Sequence, residues 1–321
     1  MPKIVTVIGA TGAQGKGVVA AFINNPAYRV RAVTRSPTSA AAAALAAQGA
    51  EIVTADLDSL PSLTAAFAGS SIIFGVTNFF EPFSTLSDPL KAIDAEVQQG
   101  INLARAAAAT STLEHYIWST LPNALALSGG KYLVPHFEGK NRIDAFIRAP
   151  EQEALLRKTT FLWVTWYHAN YSFPMFTPYL IPTSGTYVQF ASYAADTPIS
   201  TIGDVGVNLA PFVRAVVEQG EKTRGGAVVK AAVEERGAEE LLGVWAEKKG
   251  KKAKFVRVAR DDFHGLWPMW AEEMGIMMEF WDEARAGSWE REDGGKVWNA
   301  EDLGITGELK GVEEAFEGYE I

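Results

Sequence analysis

Ile4-Val5-Thr6-Val7-Ile8-Gly9-Ala10-Thr11-Gly12-Ala13-Gln14-Gly15-Lys16-Gly17 reads as a buried strand, a glycine turn and the opening of a helix. The β-branched run Ile4–Ile8 suits a parallel strand covered on both faces. Gly9, Gly12 and Gly15 follow in the spacing G-x-x-G-x-x-G. In a dinucleotide site the first such glycine permits the tight turn and the second lets backbone approach a pyrophosphate. The third brings helix and strand together. The helix predicted from Ala13 to Asn25 then points its free N–H groups and positive dipole end at phosphate. Gly9, Thr11, Gly12, Ala13, Gln14 and Gly15 are therefore candidate cofactor-binding residues.

Working outward, strands are expected at Tyr28–Thr34, Glu51–Thr54, Ser70–Val76, Glu114–Trp118 and Thr160–Trp166. Helices are expected at Thr38–Gln48, Asp88–Thr110 and from Pro135 to about Arg148. Strand and helix alternating in this way predict an α/β fold with a doubly wound parallel Rossmann sheet. Beyond residue 166 the rhythm is lost. Ten aromatic residues crowd the stretch from Trp163 to Tyr193, broken by Pro174, Pro178 and Pro182, which reads as loop and short strands. The expected organisation is a core over 1–166, to which 204–230 returns, and a smaller α+β carboxyl-terminal lobe from 167–203 and 231–321. Within that lobe Glu239–Lys249 and Asp261–Ala284 are predicted helices, and Val312–Tyr319 a short acidic one.

The net charge of −9 advertises no basic face for tracking phosphates, which argues against direct nucleic-acid binding. The absence of cysteine removes disulfides, thiolate nucleophiles and cysteine-based zinc sites. The four histidines, His115, His136, His168 and His264, have no metal-ligand spacing, and no metal is expected. Met1-Pro2-Lys3 leads straight into a strand, and no apolar run approaches a membrane span. The expectation is a cytoplasmic protein without membrane contact. The basic run Lys248–Lys254 reads as a solvated loop, or as a patch for nuclear entry.

At the exit of the second strand an acidic residue selects the unphosphorylated cofactor in many sites. Here Thr34 and Arg35 stand there instead. A guanidinium holds a ribose 2′-phosphate by charge-assisted bonds, so NADP(H) is expected over NAD(H). Asp56, past the third strand, touches the adenine edge or caps the helix near Ser59. Thr77 and Asn78 leave the fourth strand at the carboxyl edge, where ligand crevices lie. Phe79 and Phe80 beside them wall the nicotinamide pocket or pack a long loop.

Taken together, the chain resembles the NmrA-like family, atypical members of the short-chain dehydrogenase/reductase superfamily. The matching pieces are Gly9–Gly15, Val33-Thr34-Arg35, Val76-Thr77-Asn78, Glu96-Val97-Gln98-Gln99-Gly100, His136-Phe137-Glu138-Gly139-Lys140, and Asn170 in Tyr167-His168-Ala169-Asn170. The resemblance spans residues 3 to 215. It implies NADP(H) on a Rossmann core, touched also by Tyr167 and Asn170, with the lobe closing over the nicotinamide. Some relatives are regulators that respond to the NADPH to NADP ratio and bind a protein partner. Others reduce aromatic small molecules. The superfamily's Tyr-x-x-x-Lys pair reads His136-x-x-x-Lys140 here, so the usual tyrosine is missing. Four residues apart, both side chains share a helical face. Lys140 holds the ribose, relays a proton, or does both; His136 is a general acid, a cap or a solvated residue. Ser119 and Thr120 stand at the superfamily's substrate-polarising serine.

The aromatic lobe suggests a pocket for a flat hydrophobic molecule, with Phe79, Phe80, Trp166, His168, Tyr171, Trp267 and Trp270 as its walls, unless these rings merely pack the lobe. Three functions follow as expectations. The favoured one is an NADPH-dependent reductase of a hydrophobic or aromatic small molecule. The alternatives are a non-catalytic redox sensor read by a regulatory protein partner, and a biosynthetic enzyme using the pocket for non-redox chemistry. A monomer or a homodimer is compatible with each.

Overall fold

The computed structural model describes residues 1–319. The first half alternates strands and helices: β1 Lys3–Val7, α1 Ala13–Phe22, β2 Tyr28–Thr34, α2 Ala40–Ala47, β3 Glu51–Thr54, α3 Leu60–Phe67, β4 Ile72–Gly75, α4 Phe80–Leu86, α5 Pro89–Ala108, β5 His115–Thr120, α6 Ala124–Leu127, α7 Pro135–Arg148, α8 Glu153–Leu156 and β6 Thr159–Val164. The second half holds shorter strands, β7 Trp166–Tyr167, β8 Tyr179–Ile181, β9 Thr186–Ala191, β10 Pro198–Gly203, β11 Ala227–Ala231, β12 Glu234–Gly237, β13 Lys252–Arg257 and β14 Val297–Trp298. Its helices are α9 Val205–Glu218, α10 Gly220–Thr223, α11 Ala238–Lys248, α12 Arg260–Leu266, α13 Ile276–Ala284, α14 Ala300–Leu303 and α15 Val312–Glu317.

Eight strands form one sheet in the order β14-β11-β6-β5-β4-β1-β2-β3. Every pairing in it is parallel. The order reverses between β1 and β4, the switch point at which doubly wound sheets open a crevice. Residue alternation explains why the sheet is covered twice. In β4, Ile72 and Phe74 join the core under α1 and α9, while Ile73 joins the core under α3, α5 and α7. A strand buried on both sides must be apolar at every position, as this one is.

The lobe carries two three-stranded sheets, β12-β10-β7 and β13-β9-β8. Three features differ from the sequence reading. The chain joins the main sheet twice from its second half, at β11 and again at β14, and the second return lies inside the stretch assigned to the lobe. The loop after β4 is already helical from Phe80. The single helix expected over Asp261–Ala284 is broken: α12 ends at Leu266, Met269 takes a left-handed φ of 68°, and a π-helical turn at Ala271–Gly275 leads into α13. The run carries its own break signal in Gly265 and Pro268: a proline has no N–H to donate and disfavours helix at the residue before it, so the chain leaves α12 at Leu266. Among the described residues no helix is long and apolar enough to cross a membrane.

Candidate functional site

A cleft of about 880 Å³ runs along the carboxyl ends of the central strands. At its closed floor lies the glycine turn. A Cβ on Gly15 would stand 2.1 Å from the Gly9 carbonyl oxygen, so only glycine lets α1 start this close to the turn. No side chain caps α1, and the N–H groups of Ala13, Gln14 and Gly15 make no hydrogen bond among the described residues. Together with Thr11 and Gly12 they line the cleft as a cradle of donors. That donor set fits the pyrophosphate of a dinucleotide.

At the outer end Thr34, Arg35, Ser36, Ser39 and Asp56 line the cleft. Both terminal guanidinium nitrogens of Arg35 are engaged by Glu81 of α4, one of them at 2.8 Å. The pair is largely exposed, and such a bridge is weak in water. Asp56 is not the cap of α3: Ser59 caps it, and Asp56 Oδ1 accepts the Asp58 N–H at 3.0 Å.

The middle of the cleft is crossed by a relay. Ser119 Oγ donates to Gln14 Oε1 at 2.7 Å, and Gln14 Nε2 donates to the Tyr167 hydroxyl at 2.6 Å. Burial pushes the Tyr167 phenol up to about 12, so it remains a neutral hydroxyl. Thr120 turns instead to Asp144: its hydroxyl donates at 2.9 Å, beside the Trp118 indole N–H at 2.7 Å. Burial dominates at Asp144 and raises its carboxyl to about 7 despite these two donors.

His136, Lys140 and Asp144 fall four apart on α7 and share its sheet-facing side. Lys140 Nζ lies 3.1 Å from Glu96 Oε1, 3.0 Å from Thr77 Oγ1 and 3.2 Å from the Thr77 carbonyl. Glu96 is fully buried on α5. Gly139 makes this approach feasible, since a Cβ there would stand 2.3 Å from Glu96 Oε2. Two separate motifs, Glu96–Gly100 and His136–Lys140, are thus halves of one buried ion pair. Asn78 shapes the turn beside it, accepting the Phe80 N–H at 3.3 Å.

His136 is answered from the lobe. Glu273, in the π-helical turn, takes the His136 ring at Nδ1 and also accepts its backbone N–H at 3.1 Å. Glu273 is 1% exposed and its other oxygen has no partner among the described residues. The ring packs 5.5 Å from Phe80, which in turn meets Phe173 and Trp270. Phe79 lines the cleft with its back to Phe83, 5.4 Å between rings. No Glu or His in this arrangement is placed with a third ligand to hold a metal, among the described residues.

Trp166 and Asn170 line the cleft, but four expected wall residues do not. His168 bonds the Gly203 carbonyl at 2.9 Å through Nδ1 and sits under Phe316 and Tyr319. Tyr171 is stacked on Trp245, deep in the lobe. Trp267 stacks on Tyr179, and Trp270 packs behind Phe80 and Phe83. The break in the expected helix explains this: it turns residues 267 and 270 away and brings Met274, Met277, Trp281 and Trp289 over the cleft. Sequence reasoning missed these four and Glu273. A buried glutamate within Trp270-Ala271-Glu272-Glu273-Met274 was the available signal, since charge there is costly unless paired.

A family model described as "NmrA-like family" matches residues 1–303. The chain belongs to the NmrA-like family. Among curated relatives, an NmrA-like family domain-containing oxidoreductase, hkm9, of Aspergillus hancockii is 33% identical over 53% of this chain, but the match spans only 48% of that protein. The oxidoreductase FrzB of a Cladobotryum species is 28% identical over 87% of this chain and 84% of its own length. Solved structures share the fold. NmrA, described as a negative transcriptional regulator in complex with NADP, matches with a TM-score of 0.73 at 19% identity, covering 99% of this chain and 95% of that one. The NADPH-dependent quinone oxidoreductase QOR2 of Escherichia coli, complexed with NADPH, matches at 0.65 and 18% over 98% of both chains.

Proposed function

We propose that this NmrA-like protein is an NADPH-dependent reductase of an uncharged, aromatic small molecule. The observation that carries the reading is the convergence of three things on one cleft. They are a glycine-lined donor cradle, a guanidinium at its outer end, and a histidine held by a buried carboxylate under an aromatic roof.

In this reading Ala13, Gln14 and Gly15 receive the pyrophosphate, and Arg35 with Thr34 and Ser36 takes the 2′-phosphate. When bound, the cofactor supplies a hydride from its nicotinamide ring. Lys140, neutralised by Glu96, holds Thr77 in place and offers its flank to the ribose rather than giving up a proton. Tyr167 and Asn170 hold the near end, and the Ser119–Gln14–Tyr167 relay fixes the floor. The proton goes from His136 to the reduced substrate. A carboxylate on Nδ1 sets the ring orientation and leaves Nε2 as the nitrogen available to the cleft. Glu273 also balances the ring's charge while it carries two protons. Phe79, Phe80, Phe173 and Trp166 exclude water around the transfer.

The test is NADPH oxidation by purified protein with aromatic enones, imines and quinones. Turnover that is lost in His136→Ala and retained in part by Lys140→Arg supports the reading. A second reading, a non-catalytic NADP(H) sensor with a protein partner, is favoured by one feature: every Lys140 contact is already made within the protein. It requires different affinities for NADPH and NADP⁺, since equal affinity shifts no equilibrium. No turnover with any substrate class, combined with a large difference between the two cofactor forms, would favour it.

A further inference from the structure

The outer end of the cleft carries a charge balance that the end of β2 alone does not foretell. Doubly wound sheets that take NAD(H) commonly place a carboxylate at this strand end. Here β2 ends on Arg35, and a carboxylate arrives from elsewhere: Glu81, in the first turn of α4 and 46 residues along the chain. Both residues line the cleft, with side chains 61% and 47% exposed, so a ligand entering there reaches both. Glu81 takes both terminal nitrogens of the Arg35 guanidinium. That is the bidentate geometry a phosphate would otherwise use.

No second cation offsets the pair. Among the described residues, the other basic side chains lining the cleft are His136 and Lys140, and each is matched by a buried glutamate. The Arg35 guanidinium is held above its ordinary pKa by its bond to Glu81 first, and then by the charges of Glu81, Asp56 and Asp58. Three carboxylates therefore act on one guanidinium. A phosphate monoester brings roughly two further negative charges. It must take Arg35 from Glu81, or lie beside that carboxylate and be repelled by it. An unphosphorylated ribose leaves the pair closed and meets neither cost.

We infer that Glu81 is a specificity-determining residue: by occupying Arg35 it works selectively against the 2′-phosphate, and it holds the preference for NADPH over NADH below what Arg35 alone would give. The inference rests on the coenzyme reading above and is independent of which molecule is reduced. Control of coenzyme choice then lies on an exposed side chain of α4, as well as on β2.

The experiment is calorimetric titration of the full-length wild type, Glu81→Gln, Arg35→Ala and the double variant. The ligands are NADPH, NADH and 2′,5′-ADP, a probe that carries the 2′-phosphate without the nicotinamide. Glu81→Gln is expected to tighten NADPH and 2′,5′-ADP by roughly two- to fivefold, the scale of an exposed ion pair, and to leave NADH unchanged. In the Arg35→Ala background the same substitution should bring no such gain. Unchanged NADPH affinity, an equal gain for NADH, or the same gain without Arg35 would overturn the role of Glu81 while leaving coenzyme binding intact. A gain for NADPH that 2′,5′-ADP does not share would overturn it too, because Glu81 adjoins Phe80 and the effect would then lie at the nicotinamide end. No uptake of either coenzyme by folded protein would overturn the coenzyme reading and this inference with it.

Discussion

The two ends of the cleft are built by different means. The phosphate end is made by one continuous stretch, Gly9–Gly15, with Arg35 a strand away. The end we propose for the substrate is assembled from segments more than a hundred residues apart, such as His136 with Glu273. A ligand end common to many proteins is served by local backbone geometry. The proposed substrate end is made where the lobe meets the core, so it depends on how the chain packs.

Predictions at the junction test that contrast most severely. Glu96→Ala removes the partner of a buried ammonium and should cost roughly 3–5 kcal/mol in urea unfolding, because Lys140 is left uncompensated. Glu96→Ala combined with Lys140→Met should recover much of that loss. At the phosphate end, Gly15→Ala forces a Cβ into the Gly9 carbonyl. It should cost about 1–3 kcal/mol of stability and abolish cofactor uptake in calorimetry.

Smaller effects sharpen the comparison. Glu273→Gln keeps the shape of the lobe contact but removes its charge. It should lower kcat by roughly one to two orders of magnitude, with KM for NADPH unchanged. A parallel loss of cofactor affinity would mean that the lobe serves the phosphate end as well. Glu81→Gln frees Arg35 and should raise the preference for NADPH over NADH by a few-fold.

A separate expected effect is one of pH. Asp144 lies at about 7 in the fold against an ordinary 3.8. Its folded pKa is raised, so its contribution to stability is full below about pH 4 and is lost as pH rises through 7. Stability of the wild type relative to Asp144→Asn should therefore decline between pH 4 and 7 in thermal unfolding, and a rise over that window would contradict the assignment.

The same contrast explains what was legible in the sequence. The parallel sheet could be read because a central strand such as β4 is buried on both faces and apolar throughout, and because Gly9, Gly12 and Gly15 mark one turn. Glu96 and Lys140 each stood in a recognisable motif, yet nothing local says that they pair. Trp267 and Trp270 were expected in the pocket because a continuous helix was assumed. The left-handed Met269 and the π-helical turn after it redirect the chain, and Trp281 and Trp289 reach the cleft in their place. For Glu273 the sequence offers only a carboxylate set in an aromatic run, because its partner is set by packing across 137 residues.

The most direct test of the central claim is calorimetric titration of NADPH and NADH into wild-type protein and Arg35→Ala. The account predicts that the wild type takes up NADPH more tightly and that Arg35→Ala loses this preference while still binding NADH. No uptake of either coenzyme by folded protein, or an equal loss for both in the variant, would contradict it.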